Sequence, residues 1–301
     1  TAGIFGGGVA YDSSSDEAIV YDENPPIPLE ETGIVNEESV ELLPAEVAKH
    51  SAGNRHMLAP EHNSSKRMDI SDVNSFVDMD FPPQDSSLGS PEFAANYQVQ
   101  WKRPVEFMQG EIKVFDNIEP NDIIQGQLGD CWFLCAVACL AEFPVLIQAL
   151  FPNDNTMLSD SGMYTLKFCK DGQWRTVTVD DYFPCHPQGG PIFAASNGNE
   201  LWAMLAEKAY AKFHGSYEAI SGGFSEEAME DMTGDPCVGY RFNDEDVMEM
   251  IHNGTLWNRL IEYDSLGYVL TVSSPGEDTL TMTGDHSGSG LVAGHAYSLI
   301  G

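Results

Sequence analysis

Gln125-Gly126-Gln127-Leu128-Gly129-Asp130-Cys131-Trp132 places a cysteine at the mouth of an apolar stretch, with a glutamine six residues upstream. From Cys131 the chain runs Cys-Trp-Phe-Leu-Cys-Ala-Val-Ala-Cys-Leu-Ala-Glu-Phe, apolar nearly all round, which predicts a buried helix ended by Pro144. A thiol attacks a carbonyl as its thiolate. A helix N-terminus favours that anion through its unsatisfied N–H groups and its dipole. The oxyanion formed by such an attack needs two donors, and the Cys131 N–H and the Gln125 side-chain amide can supply them. Gly126 and Gly129 permit the tight path that returns Gln125 to the thiol. Cys135 and Cys139 follow at helical spacing on one face and read as packing residues. No Cys-x-x-Cys pair or companion histidine pair marks a zinc site.

A thiolate needs a base, and eight histidines compete for that role. His50, His56 and His62 fall in a polar N-terminal stretch, His186 in a proline-rich turn, and His214 at a helix end. His252 falls in a polar helical stretch and His286 in a glycine-rich loop. Only His295, in Gly294-His295-Ala296-Tyr297, stands between a glycine and an alternating apolar strand that would hold its ring. It lies 164 residues after Cys131, a separation of the order found in papain-like layouts.

The formal net charge is −33 over 301 residues, which argues against partners as anionic as nucleic acid or an acidic membrane surface. A carboxylate-rich surface suits cations, calcium among them. Six cysteines in a chain this long, three of them on one helix, fit a reducing, cytoplasmic setting better than a disulfide framework. No apolar run of membrane-spanning length is present.

Residues 1–95 carry 18 acidic and 4 basic residues, and their short apolar patches, such as Ile19-Val20-Tyr21, show no sustained period. They read as an acidic, disordered arm, with a helical turn or two at Leu42 to Lys49, and they offer a docking segment for a basic partner. Ordered patterns begin near Tyr97. Tyr164 to Phe168 and Trp174 to Val179 alternate about Asp171-Gly172 and predict a β-hairpin. Glu200 to Phe213 reads as a helix closed by His214-Gly215, and Ser225 to Met232 as another. Thr233-Gly234-Asp235-Pro236 then marks a boundary. Asp244 to Glu262 predicts one helix, and Tyr268 to Val272 and Leu291 to Ile300 predict strands on either side of a polar loop. The order is a first, helical part at 96–234 and the start of a β-rich part at 235–301.

Taken together, Trp101-Lys102-Arg103-Pro104, the octet ending at Trp132, Val179-Asp180-Asp181, Glu207 to Lys212, Tyr217 to Gly223 and Gly294 to Ser298 resemble, in the same order, the calpain-type cysteine protease core. The likeness covers roughly Tyr97 to Gly301. It implies an α+β fold of two papain-like lobes, helical first and β-rich second, with the active site in the cleft between them. Cys131 would be the nucleophile, His295 the general base and acid, and Gln125 the oxyanion donor, acting on protein substrates. The family also binds Ca2+. Its carboxylate ligands in the first lobe correspond to Asp122 and Glu200, with backbone carbonyls here near Phe115 and Asn117, in a loop that differs from the usual pattern. The family's orienting asparagine lies in an Asn-Pro-Trp-Gly segment after the histidine, which would fall beyond Gly301. The chain as it stands is therefore expected to be an incomplete, weakly active core. The alternative is a catalytically silent calpain-like scaffold.

Overall fold

The computed structural model describes residues 75–152, 157–274 and 291–300, together with the backbone of strands at 8–12 and 17–22. Helices and antiparallel strand pairs make up both of its compact units, Asn63–Gly234 and a second formed by Thr1–His62 with Asp235–Gly301. The division falls between Gly234 and Asp235, inside the glycine- and proline-marked segment.

Within Asn63–Gly234, after three four-residue helices between Asp85 and Phe107, helix α1 (Cys131–Ala141) is buried at every position but Cys131 and Ala138, as its continuous apolar run requires. Pro144 does not merely follow it. It opens a second helix, α2 (Pro144–Ala149), from the first-turn position, where the missing N–H costs no hydrogen bond. The hairpin forms as its alternation predicts, Met163–Lys170 pairing with Gln173–Asp180. Tyr164, Leu166 and Phe168 share its inward face, each fully buried. Its two-residue turn holds Asp171 at φ 53° and Gly172 at φ 68°, the left-handed pair whose twist matches the flanking strands.

Helix α3 (Trp202–His214) crosses this core and is buried continuously from Trp202 to Ala211, its polar Glu207 and Lys208 included. Gly215, at φ 105°, closes it. Tyr210 of α3 stacks on Phe133 of α1 with ring centroids 4.3 Å apart. Helix α4 (Ser225–Thr233) packs against both α1 and the hairpin. The Cys135 thiol meets the Ser225 hydroxyl there at 3.1 Å, a packing role like that of Cys139.

The second unit holds an antiparallel sheet in the order Gly8–Asp12, Glu17–Asp22, Leu270–Ser273, Ala296–Leu299, with Val238–Arg241 also paired to Glu17–Asp22. Its core gathers Tyr240, Val247, Leu256, Tyr263 and Leu270. The single helix expected from Asp244 to Glu262 is two, α5 (Glu245–His252) and α6 (Thr255–Leu266). The break is Asn253-Gly254, where Gly254 takes φ 78°. The last strand is only Ala296–Leu299, shorter than Leu291 to Ile300, because Ala293 and Gly294 form a turn before it.

The expected arm differs most. Its boundary at 95 lies inside folded chain: Phe81 and Leu88 are buried, and Ser90 binds the Glu218 carboxylate through its N–H and its hydroxyl. Ile19-Val20-Tyr21 lies in a strand rather than a disordered segment. The helical turn expected at Leu42 to Lys49 and the polar loop after Val272 lie outside the described residues, in the latter case from 275 to 290.

Candidate active site

Cys131 is the first residue of α1 and one of its two positions that reach solvent. The helix start is seated on both sides. Before it, the Gln127 N–H donates to the Ile192 carbonyl at 2.8 Å, and a side chain at Gly126 would collide with the Ile192 and Phe193 carbonyls. After it, the Trp132 indole N–H donates to the Ile220 carbonyl at 2.9 Å, and Gly223 lies so near that ring that an added Cβ would come within 2.5 Å of it. Both glycines are therefore required for closeness. The Gln125 side-chain amide donates to the Leu128 carbonyl at 3.1 Å, so it is tied to the loop that feeds the thiol.

His295 belongs to the other unit. Its main chain is clasped by one residue: the His295 N–H donates to Ser274 Oγ at 3.2 Å, and the Ser274 main-chain N–H donates to the His295 carbonyl at 2.9 Å. Tyr297 holds the ring edge-on, with centroids 4.9 Å apart, and anchors itself to Val292 by accepting from its N–H at 2.6 Å. The imidazole is thus fixed locally by the strand that follows it.

Asp122 and Glu200 are each more than nine-tenths buried and lie in one polar corner of the first unit. Glu200 accepts the Asp116 N–H at 2.7 Å, and the Asp122 carbonyl accepts the Asn197 N–H at 2.8 Å. Burial raises both carboxyls above their ordinary range, and repulsion from Asp122 and Asp116 adds to the rise at Glu200. Two nearly buried acids that repel one another form the oxygen donor set a hard divalent cation would neutralise, so these residues fit calcium. Phe115 and Asn117 flank Asp116 in the segment that Glu200 holds, and Phe115 is packed edge-on against Phe151. A different cluster, His214, Glu227 and Asp231, also has ligand atoms within 4.8 Å of one another. Lys170 already pairs with both of its acids, at 2.7 and 3.3 Å, and supplies the positive charge there.

Sequence reading missed a second buried acid pair. Asp130, immediately before the thiol, is fully buried, and Glu207 of α3 is 2% exposed. The Asp130 carbonyl accepts the N–H groups of Phe133 and Leu134, each at 3.0 Å, which starts α1. Glu207 accepts the Ala194 N–H at 2.8 Å. Burial pushes the Asp130 carboxyl up to about 7 and raises Glu207 well above its ordinary value, with repulsion from Asp130 contributing at Glu207. The only signal available beforehand was that an acid directly precedes the nucleophile.

Among the described residues no helix is long and apolar enough to cross a membrane. The model of the family described as calpain family cysteine protease matches residues 76–301. The chain is 35% identical over 259 residues to the calpain-type cysteine protease DEK1 of Zea mays, an alignment covering 82% of this chain and 12% of that protein. It is 34% identical over 239 residues to the calpain-1 catalytic subunit of Homo sapiens, covering 75% of this chain and 31% of the relative. It thus spans only a minor part of the length of these curated relatives, and the stretch matched by the family model takes in both Cys131 and His295. With three quarters of its residues inside the family model and identities of this level, the chain belongs to the calpain family of cysteine proteases.

Proposed function

We propose that the chain supplies the catalytic core of a calcium-dependent, cytoplasmic cysteine endopeptidase that cuts other proteins at limited sites. The observation that carries this reading is the thiol itself: within the family-matched region, Cys131 reaches solvent at the open end of a helix whose remaining length is almost wholly buried. The dipole and the leading N–H groups of a helix N-terminus favour a thiolate.

Cys131 Sγ attacks the peptide carbonyl carbon, and the resulting oxyanion accepts hydrogen bonds from the Cys131 N–H and the Gln125 Nε2 amide. To do so, Gln125 must exchange its bond to the Leu128 carbonyl for one to substrate. His295 takes the thiol proton and returns it to the leaving amine as the C–N bond breaks. Water then attacks the thioester, His295 removing its proton, to release the acid and regenerate the thiol. The unit Asn63–Gly234 serves as the nucleophile-bearing lobe, and 235–301 belong to the histidine-bearing one. Asp122 and Glu200, with the carbonyls of Phe115 and Asn117, would hold calcium, which when bound supplies positive charge to acids that otherwise repel.

Cleavage of casein by the full-length protein is expected to require calcium and to fall by about 10³-fold or more in Cys131→Ser. Undiminished cleavage by the serine variant would sink the reading. No cleavage by the wild-type protein with calcium present, together with retained binding of protein partners, would support a silent scaffold instead.

A further inference from the structure

We propose that Asn197 is a site of spontaneous modification: its side-chain amide cyclises onto the Gly198 main-chain nitrogen and is converted to aspartate and isoaspartate beside the corner that holds Asp122 and Glu200. The same dipeptide at Asn253-Gly254 is protected by its fold. The inference depends neither on the thiol nor on a bound cation.

Asn-Gly is the sequence in which this cyclisation is least hindered, because glycine has no side chain to keep its nitrogen from the asparagine Cγ. The chain has two such pairs, Asn197-Gly198 and Asn253-Gly254. Their glycines are equally open: at either one an added Cβ would meet nothing within 4 Å. What differs is the restraint on the reacting groups. At the second pair the Asn253 side-chain oxygen accepts the Thr255 N–H at 2.8 Å, and the Gly254 N–H donates to the Ile251 carbonyl at 3.2 Å. The attacking nitrogen and the attacked amide are therefore both held, in the turn between α5 and α6. At the first pair only the main chain is fixed, the Asn197 N–H donating to the Asp122 carbonyl at 2.8 Å. Among the described residues neither the Asn197 side-chain amide nor the Gly198 N–H makes a hydrogen bond. Both residues are exposed, and both line a cavity of about 330 Å³ that Asp116 and Glu200 also line. The next asparagine in the loop is tied down, the Asn199 amide donating to the Gln109 carbonyl at 2.6 Å. Freedom at this amide is thus a property of Asn197 and not of the whole loop.

The chemistry needs water alone. Gly198 N loses its proton to hydroxide and bonds to Asn197 Cγ, and the side-chain nitrogen leaves as ammonia, closing a succinimide ring. Water then adds to one of the ring's carbonyls. Opening at Cγ gives aspartate, and opening at the main-chain carbonyl gives isoaspartate, whose main chain runs through Cβ and Cγ. The sum converts an amide and water to an acid and ammonia. Either product adds a carboxylate to the cavity. The isoaspartate form also inserts a methylene into the main chain between Ser196, which is paired with Ile123, and Glu200. As the protein ages, the acid corner therefore gains negative charge and loses its register.

The test is incubation of the 301-residue chain at pH 8, with and without urea, then digestion at acidic pH and mass spectrometry of the peptides carrying residues 197 and 253. In the folded chain Asn197 is expected to react at least about tenfold faster than Asn253, whose two hydrogen bonds must open first. In urea, which releases both pairs, the two rates should converge. Equal rates in the folded chain overturn the proposal, and so does a difference that persists in urea. Aspartate at 197 without isoaspartate would mean direct hydrolysis and is also disproof. The readout involves neither calcium nor peptide cleavage. A chain that is modified at 197 but cuts no protein would therefore discredit the protease reading alone.

Discussion

Two successive residues of α3 carry two opposite solutions to burying charge. Lys208 is completely enclosed and meets an opposite charge: its ammonium donates to Asp180 and to the Tyr182 carbonyl, each at 2.5 Å. Asp180 is saturated in turn, accepting the N–H groups of Asp78 at 2.8 Å and Tyr182 at 2.9 Å. Glu207, one residue earlier, is enclosed without a cation, and burial first and repulsion from Asp130 second raise its carboxyl well above the ordinary range. The first arrangement is a fixed clamp between α3, the hairpin's end and the folded segment at Asp78. The second changes charge near neutrality and sits beside the thiol. Buried charge in this core thus does structural work where it is paired with its opposite, and becomes responsive to pH where it is paired with its like.

Removing the cation from the clamp is expected to have the largest effect. Lys208→Met leaves Asp180 enclosed without its counter-charge and should destabilise the fold by about 3–5 kcal/mol, measured by urea unfolding near pH 7. Lys208 is itself held below the ordinary lysine range, burial outweighing the pull of Asp180. A loss under about 1 kcal/mol would mean that the clamp contributes no more than an exposed ion pair and that the contrast between the two sites is false.

The next effect is in pH. The folded chain keeps the Asp130 proton to about pH 7, whereas the unfolded chain releases it near the ordinary aspartate value of 3.8. The native state therefore binds more protons across that window, and this site's stability is lost as pH rises from about 4 to 7. Asp181, pushed up to about 6 by burial against the pull of Arg103, contributes a loss of the same sign that ends sooner. Urea midpoints taken between pH 4 and 8 should decline less steeply in Asp130→Asn than in the wild type, most of all near pH 5 to 6, where the native and unfolded states differ by almost a whole proton at this site. Equal slopes would show that Asp130 does not hold its proton.

How far these features could be read beforehand depended on whether a local rule was strong enough to stand alone. Asp171-Gly172 between alternating strands demands a hairpin, and the apolar run after Cys131 demands a buried helix; both form. Gly254 interrupts a helical pattern whose polar spacing continues across it, so only its left-handed backbone reveals two helices. The segment before residue 95 looked like a solvated arm because its few apolar residues are spread thinly. Its described stretch from residue 75 onward is held by Phe81, Leu88 and two acids distant in sequence, Asp180 at Asp78 and Glu218, 128 residues away, at Ser90. For the site, Cys131 and Gln125 follow from loop chemistry, and His295 from its glycine and strand. Asp130 and Glu207 escaped because an acid in a chain of net charge −33 reads as a solvated charge, and its burial depends on contacts 77 residues apart.

The smallest expected effect sharpens the comparison most. Glu207→Gln changes one heavy atom and keeps the volume. Its carbonyl can accept the Ala194 N–H in place of Glu207 Oε1, but the side chain can no longer ionise. What changes is the repulsion that two acids in one pocket exert. At pH 5, where burial keeps the Asp130 proton, the two proteins should agree within about 1 kcal/mol in urea unfolding. At pH 8, where Asp130 has ionised, the variant is spared that repulsion and should be at least as stable as the wild type. A deficit of the same size at either pH would be a packing defect, so the comparison between the two pH values reads the charge alone. It also separates Glu207 from Lys208, because no neutral isostere can replace the cation that Asp180 needs.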